Sequence, residues 1–241
     1  MCTVTFIARR NGYALGMNRD EKLARVKALR PARYRLEGRT ALYPSEPGGG
    51  TWIGVNDVGA AFALVNWYSA SARVAEKAIS RGTIVTSTLI AESPDRASEI
   101  LATVSLELVN PFRLLGIFPA SQELVEWRWN VKRLDLLSHR WRTNIWVSSG
   151  FDEPGAEETR CRTFQNALQH RSAGNLEWLR RLHRSHSPDV GPYSLCVHRD
   201  DAATVSYTEI LVSRGISRMR YQPGSPCAPT TEFIDSLKTK F

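Results

Sequence analysis

The chain has 241 residues, of which 42% are hydrophobic, and carries a formal net charge of +8 with a pI of about 9.6. That length is enough to bury a sizeable core, and one domain spanning 1–241 is expected. No apolar run approaches the roughly 18 residues of a membrane span and no signal-peptide layout opens the chain, so a cytoplasmic protein with anionic small-molecule partners is expected.

The chain opens with an alternating run. Val4, Phe6 and Ala8 stand against Thr3, Thr5 and Ile7, the period of a strand. Asn11-Gly12 is a hairpin turn signal, and a return strand from Tyr13 to Asn18 follows. Lys22 to Arg39 is basic and reads as an irregular, solvated segment. Tyr43 to Gly50 reads as a turn-rich loop. Thr51 to Val55 and Gly59 to Asn66 are strands. The second is apolar almost throughout, which suits a strand covered on both faces.

Two helices follow. Ile84 to Ala91 has a helical pattern, and Ser93-Pro94 supplies an N-cap and first-position proline for the next. Strands are expected at Leu114–Phe118, Glu123–Asn130, Arg133–Leu137 and Trp141–Ser149. Helices are expected at Glu157–Gln169 and Gly174–Arg184. The second is basic, and it reads as an outer helix with a charged solvated face, because no nucleic-acid motif or aromatic interleaving accompanies it. Leu195–His198, Thr204–Val212 and Arg218–Tyr221 are the last strands expected, before an irregular Pro-rich segment from Pro223 to Pro229. This order of strands, helices, strands, helices and strands suits an α+β fold: two stacked, mainly antiparallel sheets with helices outside, a four-layer αββα sandwich.

The cysteines are Cys2, Cys161, Cys196 and Cys227. Their wide spacing suggests neither a disulfide framework nor a structural zinc site, and no metal is expected. Cys161 and Cys196 read as small buried hydrophobes. The histidines are scattered, and His183 and His186 read as a solvated pair on the basic helix. The Gly48-Gly49-Gly50 loop lacks the Lys-Ser/Thr of a phosphate-binding loop, so it reads as a structural turn. No cofactor is expected.

Cys2 is the candidate nucleophile. Removal of Met1 would leave one residue carrying both a thiol and a free amine of ordinary pKa about 7.7–8.0, a base beside its nucleophile. Asp20, brought back by the hairpin, is the candidate to orient that amine. Arg19 would lower the thiol pKa or clamp an acyl carboxylate. Adjacent strand residues face opposite ways, so Arg19 and Asp20 point inward together only if the strand has ended.

Three motifs, Cys2-Thr3-Val4-Thr5-Phe6, Asn18-Arg19-Asp20-Glu21 and Gly49-Gly50-Thr51-Trp52-Ile53-Gly54, together resemble the NRDE family, whose eukaryotic members are called transport and Golgi organisation proteins. Asn110-Pro111-Phe112 and Ser148-Ser149-Gly150 extend the resemblance along the chain. More distantly, a starting Cys with a following Asn-x-Asp is similar to N-terminal-nucleophile hydrolases of the cholylglycine hydrolase and penicillin acylase type. That resemblance implies the αββα fold and an amidohydrolase or acyl transferase acting on a C–N or related acyl bond.

In those hydrolases an Asn after an apolar strand and before an aromatic residue binds the oxyanion. Val65-Asn66-Trp67 is similar, so the resemblance implies Asn66 as the catalytic oxyanion candidate, beside the plainer reading that it satisfies strand-end backbone groups, and Trp67 as a substrate neighbour. A second Asn from a later strand end is replaced here by the region of Asn144, Ser148 and Ser149. The arginine expected three residues before the aspartate is Met17, and Arg160 matches the late arginine. Asn18, Arg19, Trp67, Ser149 and Arg160 are therefore the candidate substrate-binding residues. The same resemblance implies an alternative, a non-enzymatic carrier of lipid, acyl-coenzyme A or haem. Without a CxxCH motif, any haem would be held non-covalently.

Overall fold

A computed structural model of the chain describes residues 2–74 and 78–241. Among the described residues, strands form two antiparallel sheets. The first is six-stranded, in the order β10 (Asn144–Ser148), β1 (Cys2–Arg9), β2 (Gly12–Lys22), β11 (Ala202–Ser213), β12 (Ile216–Pro223) and β13 (Phe233–Lys238). The second is seven-stranded: β3 (Leu29–Leu36), β4 (Arg39–Ser45), β5 (Ile53–Asn56), β6 (Ala61–Asn66), β7 (Phe112–Phe118), β8 (Glu123–Trp129) and β9 (Leu134–His139).

Strand alternation builds the layers. Val4, Phe6, Leu15 and Met17 of the first sheet meet Ile53, Ala61, Ala63 and Leu115 of the second in a central core. Phe62, Leu64, Phe112 and Trp127 face the other way, under α1 (Gly82–Thr88) and α2 (Pro94–Thr103). Ile7, Ala14 and Val147 face α3 (Glu153–Leu168) and α4 (Leu176–His183). The αββα sandwich expected from the sequence is thus the fold observed. Both faces of β6 are covered, as its unbroken apolar run predicts. Ser93 Oγ accepts the Arg96 N–H, so the cap at α2 forms where expected. Among the described residues, no helix is long and apolar enough to cross a membrane.

Several expectations are corrected. The return strand does not end at Asn18 but runs to Lys22, paired with both β1 and β11. The basic segment after Lys22 contains strand β3, and β4 takes in Tyr43 and Pro44 from the expected loop. β3 is an edge strand with mostly exposed side chains, so it has no buried periodicity to betray it. Leu195–His198 is not a strand; only His198 bridges, to Ala203. β13, unforeseen, completes the first sheet.

The basic helix is tied down rather than solvated at Arg180, which pairs with Glu209 of β11 at 2.7 and 2.8 Å. His183 and His186 are not a solvated pair. His183 is fully buried with Nε2 3.1 Å from Thr5 Oγ1, while His186 lies beyond the helix end. Between the sheets, buried Glu126 gathers Arg113 at 2.6 Å, Arg128 at 2.8 Å and His139 at 2.8 Å.

Candidate active site

Cys2 is flanked in its sheet by Ser148 of β10 on one side and Arg19 of β2 on the other. Its side chain shares the inter-sheet face with Val4 and Phe6, and the residue is 8% exposed. That exposure opens onto a cavity of about 310 Å³ lined by Cys2, Arg19, Glu46, Trp52, Asn66, Arg81 and Asn110 among others. Cys2 is accordingly buried, yet it borders a cavity.

The cavity wall is densely charged, with Arg19, Arg25 and Arg81 set among Asp20, Glu21 and Glu46. The Arg19 guanidinium lies 4.4 Å from the Trp52 ring centroid and 2.5 Å from Glu46 Oε1. Arg25 bonds Glu46 and Glu21, each at 2.9 Å. Arg81 donates to the Pro111 carbonyl at 3.2 Å, and burial lowers its pKa. Arg81 arrives because two glycines touch: a Cβ on Gly50 would stand 3.0 Å from Gly82 Cα. The Thr51 N–H then donates to the Gly82 carbonyl at 3.1 Å, closing this side of the site.

β2 has not ended at the motif, and strand alternation separates Arg19 from Asp20. Arg19 faces the cavity. The Asp20 carboxylate faces the helical layer, where it accepts from Thr204 Oγ1 at 2.6 Å and from Arg160 Nη1 at 3.5 Å. Arg160 Nη1 also donates to Thr3 Oγ1 at 2.8 Å and Nη2 to the Pro192 carbonyl. Burial pushes the Asp20 pKa up, opposed by the Arg160 charge and the Thr204 hydroxyl. Burial likewise pushes the Cys2 thiol up. The Asp20 charge adds to that rise, and Arg19 and the Asp20 backbone N–H oppose it.

Of the residues expected at the site, Cys2, Arg19 and Asn66 line the one cavity, and Asp20 borders it with its carboxylate turned to the helical layer. Asn66 stands at the end of β6, its Nδ2 donating to Tyr68 Oη at 2.9 Å. The other four are not among its lining residues. Asn18 is the next inward-facing residue of the helix side, and its Nδ2 is spent on the carbonyls of His183 and Leu195. Trp67 caps the strand end through its N–H to Pro111. Ser149 Oγ accepts the Phe151 N–H at the turn after β10. Arg160 supports Asp20 from beneath. Glu46, Arg81 and Asn110 line the cavity without having been singled out as site residues. Arg81 is brought there by its neighbour Gly82, which packs on Gly50, a contact that spacing along the chain does not signal.

A family model described as Transport and Golgi organisation 2 matches residues 1–133. A search of the curated proteins gave no match. Among solved structures, penicillin V acylase from Agrobacterium tumefaciens is similar at 12% identity with a TM-score of 0.54, over 91% of this chain and 82% of that one. Two variants of conjugated bile acid hydrolase from Clostridium perfringens are similar at 9% identity with TM-scores of 0.52, over 100% and 98% of this chain and 97% of each of theirs. These likenesses establish the fold that the sequence led us to expect, at identities too low to carry chemistry with it.

Proposed function

The chain belongs to the Transport and Golgi organisation 2 family, and from that premise we propose that it is an N-terminal-cysteine amidohydrolase or acyl transferase for a small anionic acyl substrate. The observation that carries the reading is that Cys2 lines a cavity shared with Arg19 and Asn66. Penicillin V acylase and conjugated bile acid hydrolase, enzymes of similar fold, show that such a scaffold can host a reaction of this class.

In this reading, removal of Met1 frees the Cys2 amine. The amine takes the thiol proton as Sγ attacks the substrate carbonyl carbon. The oxyanion so formed accepts a hydrogen bond from Asn66 Nδ2, whose second N–H remains after its bond to Tyr68. The C–N bond breaks, the leaving amine takes the proton, and water or an acceptor amine cleaves the thioester. The Asp20 carboxylate, anchored by Arg160 and Thr204, orients the Cys2 amine. Arg19 and Arg81 receive the substrate's negative group. A groove of about 490 Å³ adjoins the cavity at Arg19 and Arg25 and is lined by Leu23, Val26 and Tyr221, suiting an apolar acyl portion.

Intact mass of the protein before and after an electrophilic acyl probe tests the proposal. Met1 should be absent, and the adduct should map to Cys2 and fall strongly in Cys2→Ser. Equal labelling of the two proteins would end the enzymatic reading. The same groove also favours a second reading, a carrier of lipid, acyl-coenzyme A or haem. Tight binding of acyl-coenzyme A or haem that is indifferent to Cys2→Ser, without adduct formation, would favour it.

A further inference from the structure

Four donor side chains, three from residues 186–198 and one from Cys227, converge beside β11. His186, Cys196, His198 and Cys227 each offer one ligand atom, and these atoms all lie within 4.8 Å of one another. His198 Nε2 is 3.5 Å from Cys196 Sγ and 3.4 Å from Cys227 Sγ. The His186 and His198 rings are 5.0 Å apart, and His186 Nε2 is buried with no hydrogen-bond partner.

These separations can be set against a metal polyhedron. With zinc–sulfur bonds of about 2.3 Å and zinc–nitrogen bonds of about 2.0–2.1 Å, the sulfur–nitrogen edge of a tetrahedron is about 3.6 Å. The two observed sulfur–nitrogen distances fall next to that edge. Two thiolates and two imidazoles are also the donor set that selects zinc over hard, oxygen-seeking cations.

The segments carrying the donors are fixed independently. The Cys196 N–H donates to the Ser185 carbonyl at 3.0 Å, and Ser194 Oγ donates to the Cys196 carbonyl at 2.6 Å. On the third segment, Gln222 Nε2 donates to the Ala228 carbonyl at 2.9 Å, and Ser225 Oγ donates to the Thr204 carbonyl at 2.9 Å. The donors are thus held in place by backbone contacts that do not depend on a metal.

We propose that His186, Cys196, His198 and Cys227 form a tetrahedral Zn²⁺ site that staples the Pro-rich segment to the loop before β11. Four protein ligands leave no open position, so the site is structural rather than catalytic. Its position also reaches the active site. Thr204, which donates to Asp20, accepts the Val197 N–H at its hydroxyl and Ser225 Oγ at its carbonyl, so the stapled loops hold the residue that holds Asp20.

The test is Co²⁺ titration of the full chain, reduced and freed of metal, followed by Zn²⁺ competition. One equivalent of Co²⁺ should give the ligand-field bands of a four-coordinate ion with thiolate-to-cobalt charge transfer, and Zn²⁺ should abolish them and raise the melting temperature. Cys227→Ser, at an exposed position, should weaken the affinity by more than about 10-fold, the scale of losing even an outer partner. His198→Gln should do the same, and Cys161→Ser should leave the spectrum unchanged. No charge-transfer band in the wild type, or an unaltered titration in Cys227→Ser, would overturn the proposal. So would a Cys196–Cys227 disulfide in the isolated protein that, once reduced, yields thiols binding neither ion.

Discussion

The Arg160 guanidinium and the Asp20 carboxylate meet 3.5 Å apart, both side chains fully buried, on the far side of the sheet from the Cys2 sulfur. A charge in that position is tolerated only with its partner. Arg160→Met should therefore cost about 3–5 kcal/mol, the scale of stranding one half of a buried pair. Replacing both residues, with Asp20→Asn added, should recover part of the loss. Urea unfolding of the two single variants and the double variant measures the coupling, and additive losses would show that the two groups do not support each other.

The thiol of Cys2 reads the two neighbours of β2 with opposite signs. Arg19 lowers its pKa and the Asp20 charge raises it. The midpoint of the pH–rate profile for Cys2 alkylation should move up in Arg19→Gln and down in Asp20→Asn. Shifts in the same direction would contradict the electrostatics assigned to the site.

His183 is buried under the first sheet, and burial lowers its pKa to about 3 from an ordinary value near 6.5. It is neutral in the folded protein and charged in the unfolded chain between those values. The unfolded state therefore binds the extra proton, and stability rises with pH through that window. The His183 contribution is complete above pH about 6.5 and falls by about 1.4 kcal/mol per pH unit as the solution is acidified below it. Unfolding free energies measured between pH 7 and pH 5 should show that slope, above the range where carboxylates dominate. His183→Gln should flatten it.

Gly50 and Gly82 can touch because neither has a Cβ. Gly50→Ala would press on Gly82 backbone at 3.0–3.1 Å and spread the segments carrying Trp52 and Arg81. A loss of about 1–3 kcal/mol is expected, with a change in the rate of Cys2 labelling. Gly48→Ala meets nothing within 4 Å and should be within about 0.5 kcal/mol of wild type. Thermal melts of the two variants make the comparison.

Glu126 is wholly buried among Arg113, Arg128 and His139, and hydrogen bonds from His139 and Arg128 with the Arg113 charge hold its pKa far below the carboxylate range. Glu126→Gln would leave the buried Arg113 charge without its partner and facing Arg128, and a loss of about 3–5 kcal/mol in denaturant unfolding is expected.

What the sequence determined by itself was whatever local periodicity and turn chemistry encode. The alternation from Thr3 to Ala8, the Asn11-Gly12 turn, the unbroken apolar run of β6 and the Ser93-Pro94 helix start all stand where they were read. Each depends on residues within a few positions of one another. Exposed edge strand β3 and the late strand β13 carry no such signature, because a strand with little buried face need not alternate. Only the tertiary structure decided that β2 continues through Asp20, since β11, almost two hundred residues on, supplies the partner that extends it. Packing likewise brought Arg160 beneath Asp20 and gathered Cys196 and Cys227 around His198. Spacing along a chain cannot report such meetings, because long-range contacts are set by how whole layers stack rather than by the interval between the residues that touch.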